Sequence, residues 1–371
     1  MHILHSEASE QWGGQEIRTL MDAERAARAG HRVTILAKRG AALLARARAA
    51  GLSVAELPPG SPWAPSKVMA VARLIRARGV DVVHTHSSSD SWTAGLAARL
   101  TGRILVRTRH ISAPMSHRVL GREVIKPVYL LPQAIICTSG AIRDALAGLG
   151  VSERRLHVLP SGVDLSRFRP REDAAALRAG LGLVGAPVIT MLAMLRVEKG
   201  ADVLLDAAAR LLKDWPQALF VLAGGGDEPD IAALKRQAER LGVAASVRFL
   251  GHREDVPEIL AASDVCVLPS SGNEGVPQAV IQYLAMARPV VATNVGGIPE
   301  AVEQGKCGLL VRPGDIDGLA DAIAWLLRHP DEARRMGEAG QRVALERFDA
   351  DRVAERVLAI YQELMGSRGL R

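Results

Sequence analysis

The chain has 371 residues, 48% hydrophobic and 23% charged, which is enough for two or three domains with cores of their own and excludes wholesale disorder. Three separated cysteines, Cys137, Cys266 and Cys307, exclude a disulfide scaffold and a cysteine-only zinc site, and fit a reducing cytosol. The net charge of +7 is split into 24 basic and 12 acidic residues up to Pro170, then 23 and 28, so the first half is suited to a polyanionic partner.

In chain order, short apolar runs alternate with helix-length segments. Strands are expected at HRVTILA (31–37), VDVVHTH (80–86), RILVRTR (103–109), AIICTS (134–139) and RLHVLP (155–160), with helices at 15–29, 66–78, 90–100 and 140–148. The second half repeats the pattern: APVITMLAML, a helix from 201, ALFVLAG, a helix from 229, SVRFLG, DVCVLPS, RPVVAT and CGLLVRP. Strands apolar on both faces and separated by helices predict parallel sheets covered on both sides. The fold class is therefore α/β, with two Rossmann-like doubly wound domains facing a cleft. The expected divisions are residues 1–165, residues 170–348 and a C-terminal helix within 349–371 that packs back toward the first domain. No apolar run is long enough to cross a bilayer, and the opening MHILHSEASE does not read as a signal peptide. Scattered aromatics, 3% of the chain, argue against a single-stranded nucleic acid partner.

Several motifs stand where such folds bind ligands. Gly13 and Gly14 follow the first strand and open the first helix, where backbone N–H groups can approach a phosphate. The third glycine of a dinucleotide fingerprint is missing, so NAD is disfavoured. Arg196 and Lys199, in LRVEKG after the first strand of the second half, can neutralise a diphosphate without a metal. In EGVPQ, Glu274 can accept sugar hydroxyls, and the backbone of Gly275 and the residues after it can hold phosphate oxygens. Gln282, eight residues on, is expected to share a helix face with Glu274. Asp315 and Asp317 form a DxD, the pattern of a metal site, but precede an apolar helix and read as its N-cap and first-turn acid. His84 and His86 flank one strand position, and zinc is disfavoured because the sequence shows no third ligand beside them. Residues 115–131 carry Arg118, Arg122 and Lys126 at helical spacing, so a basic surface helix that could lie on anionic lipid competes with a core-packed helix.

The segment EGVPQAVIQYLAMARPVVATNVGGIPEAV resembles that of retaining glycosyltransferase family 4, as do CTSGAIRDALAGLGVSERRLHVLPSGVDLSRFRP, LRVEKG, FLGHREDV and GLLVRPGDIDGLADAI in order. The resemblance covers nearly the whole chain and implies the GT-B fold. It also implies a metal-independent enzyme that transfers a sugar from a UDP- or GDP-linked donor with retention of configuration. By it, Gly13 and Gly14 meet donor phosphates and Arg196 and Lys199 bind the diphosphate. Glu274 lies by the donor sugar, with the backbone of Gly275, Val276, Pro277 and Gln278 at sugar and phosphate. Gln282 meets the ribose, the Arg253 backbone lies near the base, and His110 matches the family's active-site histidine. Glu10 is an acceptor-side candidate. The sequence departs from the family at Gln282, where a Glu is usual, and in the short Arg196-to-Lys199 spacing.

Taken with the basic first half, this implies a glycan or lipid-linked acceptor in lipopolysaccharide or other envelope glycan synthesis. The expected setting is cytoplasmic, peripheral on the inner membrane face, with no cofactor beyond the nucleotide sugar. The alternatives are a GT-B sugar-nucleotide epimerase or hydrolase, and a non-catalytic nucleotide-sugar-binding scaffold.

Overall fold

A computed structural model describes every residue except 112–113, 120–121, 172, 273 and 370–371. The chain separates into two compact units, Met1–Gly162 with Ala350–Arg371, and Val163–Asp349. The first unit begins with β1 (His2–Glu7), α1 (Gly14–Arg28), β2 (Arg32–Ala37), α2 (Ala42–Ala49), β3 (Ser53–Glu56) and α3 (Pro65–Arg78). It continues through β4 (Val82–Thr85), α4 (Ser88–Leu100), β5 (Ile104–Arg109), a ribbon of β6 (Ser116–Val119) and β7 (Arg122–Ile125), β8 (Ala134–Cys137), α5 (Gly140–Gly148) and β9 (Leu156–Val158). The second unit runs α6 (Ala174–Gly180), β10 (Val188–Leu192), α7 (Ala201–Leu211), β11 (Leu219–Ala223), α8 (Glu228–Arg240), β12 (Val247–Gly251), α9 (Val256–Ala261) and β13 (Val265–Leu268). It ends with α10 (Gln278–Ala285), β14 (Val290–Thr293), α11 (Ile298–Ala301), β15 (Gly308–Val311), α12 (Ile316–Arg328) and α13 (Pro330–Arg347), after which α14 (Ala350–Gly369) closes the chain.

Both units have the doubly wound parallel sheets that the sequence pattern predicts. The first is seven-stranded in the order β3-β2-β1-β4-β5-β8-β9, and the second six-stranded in the order β12-β11-β10-β13-β14-β15. Each order reverses at one place, between β1 and β4 and between β10 and β13. The carboxyl ends of the strands at such a switch point form the crevice in which open α/β sheets take ligands. The sheets are buried around apolar strand residues, such as Ile3, Val82, Ile104 and Ile136 of the first core and Ile189, Phe220, Val267 and Val291 of the second. Helix α14 packs on α1 and adds Val357, Ile360 and Tyr361 to the core of the first unit. In the second, the fully buried Tyr283 of α10 accepts from the Leu192 amide at 2.7 Å and donates to the Val267 carbonyl at 3.1 Å. That side chain ties α10 to both strands of the switch point.

The structure corrects the expected basic helix over 115–131. The segment forms the antiparallel ribbon β6–β7, with Arg118 opposite Glu123 and Val119 opposite Arg122, followed by a single 3₁₀ turn over Pro127–Tyr129. The β-branched Val119, Val124 and Ile125 favour strands, and Pro127 cannot donate within a helix. The i, i+4, i+8 stripe therefore does not exist. The side chains of Arg118 and Arg122 lie outside the described residues, and Lys126 Nζ donates to the Pro114 carbonyl at 2.7 Å. Among the described residues, no helix is long and apolar enough to cross a membrane.

Candidate active site

In the second unit, the chemistry gathers just past the ends of β10, β13 and β14. After β10 the chain makes a 3₁₀ turn over Val197–Lys199 and enters α7 through Gly200, whose φ of +76° suits glycine. After β13 it forms the loop that holds Ser270 and Glu274. Lys199 Nζ lies 2.6 Å from Glu274 Oε1, and the Ser270 hydroxyl donates to the same oxygen at 2.7 Å. Glu274 is buried and Lys199 partly so. The two loops are also sewn together by the Ser271 amide, which donates to the Glu198 carbonyl at 3.0 Å. The loop after β14 closes the third side, where the Gly297 amide donates to the Glu274 carbonyl at 3.3 Å.

Lys199 and Glu274 therefore meet at the switch point, although 75 residues separate them. The arrangement differs from the expected one in three ways. Lys199 is already paired with a carboxylate, so its charge must be shared with any phosphate. Its ammonium has three donors, so it can keep Glu274 and still serve a second anion. Arg196 is more exposed, and its guanidinium is 3.9 Å from Glu198. Glu274 and Gln282 do not share a helix face, because α10 begins only at Gln278, after Pro277. Gly275, Val276 and Pro277 lead into that helix, with Val276 buried, and Gln282 is buried on it. The Arg253 guanidinium is held by both oxygens of Asp255, at 2.7 and 2.5 Å. Asp315 caps α12 by accepting from the Gly318 amide at 2.8 Å, and Asp317 pairs with Arg210, so the DxD serves a helix start.

In the first unit, β1 and β4 bring a different set to their switch point. His5 and His84 stand side by side in register. His5, His84 and His86 are buried, with one ring nitrogen from each within 4.8 Å of the others. Strand pairing thus supplies the third histidine that the sequence does not show beside His84 and His86. The other contacts of these rings weigh against a metal. His84 Nδ1 and Nε2 reach Tyr361 Oη at 2.5 Å and Thr108 Oγ1 at 2.7 Å. His86 Nε2 and Nδ1 lie 3.0 Å from His5 Nδ1 and 3.2 Å from His110 Nε2. Burial pushes the His5 imidazole down to about 3 and lowers His84, His86 and His110, the buried Arg18 adding to the effect on these three.

The glycine turn at α1 lies on the same unit. The Gly13 amide donates to Glu16 Oε2 at 2.9 Å, so this N–H already has an acceptor. Gly14 is exposed at the first position of α1. Glu7 accepts from the amides of Ala8 and Ser9 at 2.7 and 2.9 Å and from Gln15. Burial, then the charges of Asp90 and Glu16, raises Glu7 to about 8. A neutral Glu7 would not repel an anion at the Gly13 turn. Sequence reasoning passed over Glu7, His5 and Ser270; their only signal was their place in the carboxyl half of a strand or just past it. Glu10 is exposed and pairs with Lys38 at 3.1 Å.

Two doubly wound parallel-sheet units give the GT-B class of fold, and comparison with known proteins gives the family. Residues 12–167 match the model described as Glycosyltransferase Family 4, and residues 186–329 match Glycosyl transferases group 1. The D-inositol 3-phosphate glycosyltransferase of Corynebacterium urealyticum is 31% identical over 85% of this chain and 78% of its own length. The GDP-mannose-dependent alpha-(1-6)-phosphatidylinositol monomannoside mannosyltransferase of Mycobacterium tuberculosis is 31% identical over 84% and 83%. Among solved structures, Anabaena HepE in complex with UDP aligns with a TM-score of 0.86 at 23% identity, covering 98% of this chain and 100% of that one. A glycosyltransferase from Rickettsia africae aligns at 0.85 with 22% identity, covering 98% of each. The chain belongs to glycosyltransferase family 4.

Proposed function

We propose that the protein transfers a sugar, with retention of configuration and without a metal, from a UDP- or GDP-linked donor to a phosphorylated or lipid-linked acceptor of an envelope glycan. The observation that carries this reading is the Lys199–Glu274–Ser270 cluster at the β10/β13 switch point. It offers a cation for a diphosphate beside a carboxylate for sugar hydroxyls, on a chain of family 4. In this reading Lys199, Arg196 and the backbone from Gly275 to Gln278 hold the donor's diphosphate and sugar. Gln282 takes the ribose, the Arg253 backbone lies near the base, and Gly13 and Gly14 offer their turn to the donor phosphates. An acceptor hydroxyl attacks the anomeric carbon as its bond to the diphosphate breaks, and the hydroxyl proton passes to the departing phosphate oxygen. His110 and Glu10 lie on the acceptor-side unit.

The basic first unit favours an anionic acceptor and an anionic membrane surface. Two of the relatives described above are named for inositol phosphate and phosphatidylinositol acceptors, which supports a phosphorylated or lipid-linked substrate. Lipopolysaccharide core is another glycolipid of this class. The test is release of free nucleotide from UDP- and GDP-sugars against a panel of inositol phosphate, phosphatidylinositol and lipopolysaccharide-core acceptors, with and without EDTA. Acceptor-dependent release that survives EDTA, with an anomerically retained product by NMR, is expected. Release without any acceptor would point to a hydrolase. Loss on chelation restored by Mn²⁺ or Mg²⁺ would remove the metal-free mechanism.

A further inference from the structure

We propose that His86, backed by His5, is a positioning residue that fixes the tautomer of His110 through a buried chain of three imidazoles. The contacts are His5 Nδ1 to His86 Nε2 at 3.0 Å and His86 Nδ1 to His110 Nε2 at 3.2 Å. His5 and His86 are buried, and His110 is half-buried at the mouth of the chain.

The direction of the chain follows from counting protons. Burial keeps these rings neutral, and a neutral imidazole has one N–H and one lone pair. The two contacts use two N–H groups, so the third must emerge at one end. At the inner end His5 Nε2 is buried and has no hydrogen-bond partner among the described residues. A buried N–H without an acceptor is the rarer and costlier fault. The inner nitrogen therefore carries the lone pair, and the N–H groups point outward in sequence. His5 donates to His86, His86 donates to His110 Nε2, and His110 presents Nδ1–H. The usual tautomer of a neutral histidine carries its proton on Nε2, so the chain holds His110 in the less common form. Its Nδ1–H can then donate to an acceptor oxygen, and in glycosyl transfer that oxygen would be a sugar's. That last step rests on the glycosyl-transfer reading; the tautomer does not.

A metal ion at His5, His84 and His86 is the competing use of the cluster. It would have to break hydrogen bonds to Tyr361, Thr108 or His110, and would add a dication near Arg18, which is itself buried.

The test is long-range proton–nitrogen NMR of the histidine-labelled full chain near neutral pH, with metal analysis of the same sample. His110 is expected as the Nδ1–H tautomer. His86→Asn keeps a donor near the Nδ1 position and should keep that tautomer, whereas His86→Phe should return His110 to the Nε2–H form. In transfer assays His86→Phe should lower kcat about tenfold with donor KM little changed, and His86→Asn should recover most of it, as expected for one oriented hydrogen bond. Wild-type His110 protonated on Nε2, or an unchanged tautomer in His86→Phe, would overturn the proposal. So would stoichiometric zinc bound through these histidines. If His86→Phe does not fold, the wild-type spectrum and His86→Asn decide. If the tautomer is as expected but no donor and acceptor pair gives transfer, the glycosyl-transfer reading fails and the tautomer assignment stands.

Discussion

At Glu274 one carboxylate oxygen is shared by the Lys199 ammonium and the Ser270 hydroxyl, in a site where the acid is 4% exposed. Removing either charged partner strands the other, so the two variants must be read together. If the site holds the diphosphate as proposed, Lys199→Ala removes a charge-assisted donor worth roughly 1.5–3 kcal/mol, or about 10- to 150-fold in Kd. Glu274→Gln frees Lys199, so on the proposed reading diphosphate binding should hold or tighten while transfer falls, because the donor sugar would lose an anionic acceptor. Calorimetric titration with UDP and GDP beside a nucleotide-release assay separates the two. A Lys199→Ala protein that binds the diphosphate like wild type would show that this loop does not meet it. Glu7 gives a second, independent check. Its native proton is held up to about pH 8, whereas the unfolded chain loses it near 4.5. The native state therefore binds more protons between those values, and stability falls as pH rises through that window, by up to about 1.4 kcal/mol per unit. Glu7→Gln, which mimics the neutral acid, removes this penalty. The melting temperature of the variant should gain on wild type from pH 5 to pH 9; a constant gap would mean that Glu7 is ionised in the native state.

Three loops, each following a parallel strand, hold the site, and two glycines set how closely they approach. Gly296 has a φ of +53°, and a Cβ there would stand 2.1 Å from the Glu274 carbonyl oxygen. At Gly200 a Cβ would stand 2.0 Å from the Pro269 carbonyl oxygen. Gly296→Ala should therefore displace Glu274, lowering transfer at least about tenfold and destabilising the unit by more than the ~1 kcal/mol of left-handed backbone strain. Gly272→Ala, in the loop that carries Glu274 and with nothing within 4 Å of its Cβ, is the control and should be nearly silent. Equal effects would mean that close approach at Gly296 is not what places Glu274. Much of this architecture is legible in the sequence, because short Val-rich runs bounded by Pro, such as DVCVLPS and RPVVAT, read as buried strands. α2 and β3 were missed because ALLARARA has little apolar contrast and SVAE is a short edge strand with no fully buried residue. The ribbon at 116–125 was misread because Arg118 and Arg122 fall four apart, the same spacing as a helix face. The loops carrying Lys199 and Glu274 could be found one at a time from their place after strands. Their contact could not, because it depends on β10 pairing with β13. The same holds for His5, which reaches His84 and His86 only because β1 pairs with β4.

Across the whole molecule the charge divides by unit: Met1–Gly162 with Ala350–Arg371 has 26 basic and 14 acidic residues, and Val163–Asp349 has 21 and 26. Some of the positive charge is internal, since Arg18, Arg25, Lys67, Arg107 and Arg109 are buried. Glu7, Glu16, Asp22 and Asp90 are buried in the same unit, so burial removes almost none of the excess. Each basic residue near an anionic bilayer is worth ~1 kcal/mol and loses its effect within a Debye length. The protein should bind vesicles containing anionic lipid at low salt, leave them at high salt and ignore neutral vesicles. Because β6–β7 is a ribbon, Arg118, Arg122 and Lys126 do not form a helical stripe. Replacing the three with Ser should weaken vesicle binding in proportion to charge, without abolishing it. Nucleotide binding should be unchanged in that variant, because the Lys199–Glu274 cluster belongs to the other unit. Equal binding to neutral and anionic vesicles would remove the electrostatic argument, and complete loss in the triple variant would show that the ribbon itself is the contact.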